Sequence, residues 1–112
     1  MSSASGVFTL ADALSHMERM SRDPDFDSSF SQIADFTQVT RMELSSDEIR
    51  RLAQRGIFSA DSRRAFIAPN EAIFGIGRMF ETLRSFEGEK GIRIVRTLEE
   101  ALDWVFPKSA SA

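Results

Sequence analysis

The sequence predicts an α/β fold: a small, mostly parallel sheet with interspersed helices, its first strand short or missing. Two observations lead there. Four helix starts are marked by capping residues, and the apolar runs between them are too short for helices. Gly6–Phe8 reads as at most the stub of a first strand, with Val7–Thr9 the residues available for it. Thr9 then precedes a stripe of Leu10, Ala13, Leu14, Met17 and Met20, with Asp12 at the third helical position, and Pro24 helps stop that helix. FSQIADF (30–36) is short, apolar and bounded by turn residues, as a strand should be. Ser45 stands three residues before Glu48, a capping box ahead of Ile49, Leu52 and Ala53.

RAFIA (64–68) is the next strand, and Asn70 after Pro69 opens the longest helix, through about Phe86. IRIV (92–95) is the last strand. Thr97 and Glu100 make another capping box, ahead of Leu98, Ala101, Leu102 and Val105. Strands separated by helices usually lie parallel. In open sheets of that kind, ligands and partners meet the loops at the carboxyl ends of the strands. Those loops are expected at 37–45, 69–71 and 96–97.

The 112 residues suit one domain, expected over 6–107, between mobile small-residue tails at Met1–Ser5 (MSSAS) and Lys108–Ala112 (KSASA). Net charge is −3, so no basic footprint for nucleic acid is expected. Without cysteine there is no disulfide or thiolate metal site. No apolar run approaches the roughly 20 residues of a membrane span. The start has neither a basic n-region nor a long apolar stretch, so a cytoplasmic location is the expectation.

The strings DPDFD, ADFTQVTRMELS, RRAFIAP, FGIGRMFETL and LEEALDWV resemble the STAS-like superfamily, which includes the sporulation anti-sigma-factor antagonists. The similarity runs from about Gly6 to Val105 and is greatest to small bacterial proteins described as STAS/SEC14-like. It implies strands before the first helix, where this chain offers little. In the antagonists a serine at a helix N-terminus is phosphorylated, within a D-L-S…D-S-S-G pattern. Here Asp35 matches the first aspartate and Thr37 takes the next serine's place. Glu43, Leu44, Ser45 and Ser46 stand at the second block, so the signature is partial and Ser45 is the phosphorylation candidate.

Ser45 is also fully explained as a helix cap. DPDFD starts like an EF-hand loop, but Ser28 and Ala34 fall where glycine and glutamate are needed, so its aspartates are assigned to turns. GIGRMF lacks the third glycine of a dinucleotide fingerprint, and Gly75 and Gly77 are expected to serve close helix packing. His16 is the only histidine, falls opposite the first helix's apolar stripe and is expected in solvent. No nucleophile–base pair or zinc site can be assembled, so no catalytic residue, metal or cofactor is expected.

On the 70–86 helix, Ala72, Ile73, Ile76, Met79, Phe80, Leu83 and Phe86 fill one half, while Phe74 falls on the polar half. Phe74 is covered by a neighbouring loop, simply exposed, or part of an interface.

The functional expectation is a non-catalytic regulatory or protein-interaction module. Its surface would combine Thr37, Arg41, Glu43, Ser45, Ser46, Asn70, Phe74 and Arg78. A protein partner is expected, or a homodimer along the edge a missing first strand leaves open. The alternative is a carrier or sensor of a small hydrophobic or anionic ligand, with the phenylalanines lining a cavity between helices and sheet.

Overall fold

The computed structural model describes residues 2–107. Its elements are β1 (Ser2–Thr9), α1 (Leu10–Arg22), β2 (Gln32–Glu43), α2 (Ser46–Ala53), β3 (Arg64–Ile67), α3 (Glu71–Phe86), β4 (Ile92–Val95) and α4 (Leu98–Val105). The four strands form one sheet in the order β1-β2-β3-β4, every neighbouring pair parallel. All four helices begin where their caps place them. The side chains of Thr9, Ser45, Asn70 and Thr97 each accept the backbone N–H three residues on, and the first two make complete capping boxes.

The amino-terminal expectation needs correction. Ser2–Ser5 is not a tail, because the whole of Ser2–Thr9 is a strand pairing from Ser2↔Ala34 to Thr9↔Glu43. Gly6, at a positive φ of 67°, sits where that register slips. The second correction is β2, which runs on through Thr37–Glu43 where a loop was expected. Beyond Asp35 its partner is β1 rather than β3. The tail expected at Lys108–Ala112 lies outside the described residues.

The side-chain alternation of the strands divides the core into two layers. Ile33, Ala65, Ile67 and Val95 face α4, where they bury Ala101 and Val105 beneath Trp104. The opposite face holds Val39, Ala68, Ile73, Ile92 and Ile94, with Phe8, Phe36, Phe66 and Phe80 packed around them. Two edge-on ring contacts, Phe8–Phe36 and Phe36–Phe66, and the tilted pair Phe66–Phe80 continue this layer at centroid distances of 5.3, 6.0 and 5.8 Å. Gly77 of α3 closes on the sheet here, since a Cβ would come within 3.0 Å of Ile94. Gly75 has open space instead and makes no close approach. Among the described residues, no helix is long and apolar enough to cross a membrane.

Candidate functional site

The feature with chemical content is a cavity of about 120 Å³ between the sheet and α1, α2 and α3. Its walls are apolar: Met17 from α1, Ile49 and Leu52 from α2, Phe80 from α3, Phe36 and Phe66 from the sheet. α1 lies over it without burying any residue completely, as a helix resting on a void rather than on a filled core would.

The polar residues His16, Gln32 and Arg64 stand at one end and show the cavity little polar surface. Gln32 and Arg64 are register partners at the starts of β2 and β3, in phase with the cavity-lining Ala34 and Phe66. Arg64 is 8% exposed, its guanidinium 4.1 Å from the Phe58 ring centroid and 5.2 Å from that of Phe66. Its Nε donates to Gln32 Oε1 at 3.1 Å, and its Nη1 donates to both carboxylate oxygens of Glu89 at 3.1 and 3.2 Å. Arg84 Nε donates to the same carboxylate at 2.9 Å, and Arg84 Nη1 to the Ala53 carbonyl at 2.8 Å. That carbonyl is at the C-terminal end of α2, where a cation is favoured by the helix dipole. Glu89 reaches this position because Gly88, at φ 96°, reverses the chain after α3 so that the Glu89 N–H bonds the Arg84 carbonyl.

His16 is not the solvated residue expected. It is half-buried, with Nε2 3.3 Å from Gln32 Nε2 and 3.4 Å from Ser2 Oγ. The Arg64 bond fixes the Gln32 amide with its NH₂ toward the imidazole. His16 Nε2 must then accept, which places the ring proton on Nδ1 and leaves the ring neutral. Burial, followed by the nearby cations Arg19 and Arg64, holds the His16 ring below its ordinary 6.5. Burial likewise draws the Arg64 guanidinium down, against the raising influence of Glu89.

A folded-state value below the unfolded one means that the unfolded chain takes up the proton first. Stability should therefore be full above about pH 6.5 and decline as the pH falls below it. Urea melts between pH 7.5 and 5.5 should show that slope in the native protein and a flatter one in His16→Gln. An unchanged slope would assign it to another group.

The residues expected to form a surface are dispersed. Thr37, Arg41 and Glu43 lie along β2 rather than in a loop, and Arg41 pairs with Glu43. Ser45 caps α2 and Ser46 is its first residue, whereas Asn70 caps α3. Arg78 pairs with Glu81 at 3.2 Å. Phe74 is neither exposed nor free: it packs on the inner layer, and the Arg96 guanidinium covers it at 4.0 Å from the ring centroid. Arg96 is held there by Glu71 at 2.7 Å. Among the described residues, no side-chain hydrogen bond or ion pair joins one of these eight to another except Arg41–Glu43.

The DPDFD aspartates do make turns. Asp23 accepts from the Asp25 N–H, and Asp27 from both the N–H and the hydroxyl of Ser29.

Ser45 accepts the Glu48 N–H at 3.1 Å, and Glu48 accepts the Ser45 N–H at 3.0 Å. Ser45→Ala should cost about 0.5–2 kcal/mol, while Ser45→Asp, an equivalent cap, should cost almost nothing. Thermal melts of the two variants check this, and equal small effects would remove the capping role.

Arg64, Arg84, Glu89, Gln32 and His16 were not singled out as a group in the sequence, although a signal existed for three of them. Gln32 and Arg64 are polar residues in the inward phase of apolar strands. At about 100° per residue, Arg84 falls between Ile73 and Gly77, in the middle of the buried face of α3. That face is rotated from the one expected, which leaves Ala72 exposed and Phe86 84% exposed.

No family model, curated protein or solved structure matches the chain.

Proposed function

We propose that this protein is a non-catalytic binding module that holds a small, largely apolar ligand between its sheet and helices α1–α3. The observation that carries the reading is the apolar cavity of about 120 Å³, close in size to the engineered cavity of about 150 Å³ that takes benzene. Its walls include Met17 and Met42, side chains that adapt to an occupant's shape. The STAS/SEC14-like resemblance is in keeping with this reading.

The test is native mass spectrometry of protein purified from cells, with Ala34→Leu as the control. Ala34 lines the cavity, and the variant fills it with three more carbons. A co-purifying small molecule that Ala34→Leu loses while still folded is the expected result. A bare chain that also binds no small apolar probe would overturn the reading.

A protein-interaction reading is favoured by a different feature. Leu98 and Leu102 of α4 and Phe106, its C-cap, follow one another four residues apart at 46%, 42% and 68% exposure. On that reading, sedimentation should show an association that Leu102→Glu abolishes.

A further inference from the structure

We infer that the cavity selects a small monocarboxylate, its head group seated on Arg64 beside Gln32 and His16 and its apolar tail lying between Phe36, Phe66 and Leu52. This deepens the ligand-binding reading and rests on it.

The charge balance of the buried cluster points to an anion. Two guanidiniums, Arg64 and Arg84, share a single carboxylate, Glu89, at 8%, 6% and 2% exposure. The cluster therefore carries one positive charge in excess beside a cavity with apolar walls, and such a charge is costly to bury without a counter-charge. Arg84 is turned away toward the Ala53 carbonyl, so Arg64 is the cation that reaches the cavity.

Geometry narrows the ligand further. The Arg64 Nε and Nη1 are committed to Gln32 and Glu89, whereas Nη2 donates to no described group. Nη2 is also not among the buried polar atoms left without a partner, so it is not fully enclosed. Phe58 and Phe66 flank the guanidinium, which holds its plane in place. One open guanidinium donor, with a neutral imidazole nearby, suits a singly charged carboxylate better than a dianionic phosphate. The volume admits a tail of about the bulk of a benzene ring. The charged or titratable groups acting on His16 are Arg19 on its own helix and Arg64 on β3, with Glu89 behind Arg64; Ser2 and Gln32 are its polar contacts.

The experiment is calorimetric titration of the native protein at pH 7 with hexanoate, 1-hexanol and hexylamine, repeated with Gln32→Leu. Hexanoate should bind at least tenfold more tightly than hexanol, hexylamine should bind more weakly than either, and Gln32→Leu should reduce the preference for hexanoate. Equal affinity for hexanoate and hexanol would overturn the carboxylate assignment and leave the cavity reading standing. Binding of none of the three would remove both.

As the only histidine, His16 supplies a single imidazole NMR signal. Saturating hexanoate should move its titration midpoint upward, because an anion favours the imidazolium. A midpoint unmoved while hexanoate binds would overturn the placement of the head group.

Discussion

Glu89→Gln is expected to lower stability by about 3–5 kcal/mol, the range found when one partner of a buried ion pair is removed. Glu89 is 2% exposed and accepts from Arg64 and Arg84 together. The amide keeps the side chain's shape, which excludes a cavity as the cause of the loss. It removes the only negative charge in the cluster and leaves two guanidiniums that cannot deprotonate buried without a counter-charge. Arg84 would keep its bond to the Ala53 carbonyl, so α2 and α3 stay tied, and Arg64 its bond to Gln32. Urea melts at pH 7 give the measurement. A loss below about 1 kcal/mol would mean that water or rearrangement compensates the cations, and that the cluster is far less buried than its geometry indicates.

Gly91→Ala should be of similar size, about 3 kcal/mol or more, for a steric reason. A Cβ on Gly91 would overlap the carbonyl oxygen of Ser62 and stand 3.0 Å from its carbonyl carbon. These are backbone atoms of a residue that is itself 1% exposed and bonded through its hydroxyl to the Phe30 carbonyl, so neither side can step aside. The Gly91 carbonyl accepts from the Arg64 N–H at 2.9 Å and from Trp104 Nε1 at 2.8 Å. Displacing it would disturb the start of the β3–β4 pairing and the seat of α4 together. Gly75→Ala is the control: its Cβ meets nothing within 4 Å on an exposed helical position, and alanine there should stabilise by up to about 1 kcal/mol. Equal effects at the two glycines would refute the steric account.

Helix starts were legible in the sequence because a cap is a local device. Thr9, Ser45, Asn70 and Thr97 bond the backbone three residues on, so both partners lie within one short window. The short strands at 64–67 and 92–95 were legible for a similar reason, being apolar runs closed by turn residues. Alternation of strand and helix then carried the parallel order.

Strand extent did not have that locality. Ser2–Thr9 is mostly small and polar, and Thr37–Glu43 has no apolar run; each is a strand because the other lies beside it, some 30 residues away in the chain. Burial of polar groups was also decided at a distance. Arg96 covers Phe74 from the β4–α4 connection, and Gln32 turns His16 from a solvent residue into a cavity wall. The position of Arg84 on the helix marks it as buried, but its partner is settled only when Gly88 brings Glu89 back beneath it and Arg64 arrives from β3. Residues within four positions of one another therefore determined where the helices begin, and the alternation of strands and helices determined that the fold is parallel α/β. The cavity, its cationic end and the protonation of His16 depend on groups from β1, β2, β3 and α3, which only the folded chain brings within bonding distance.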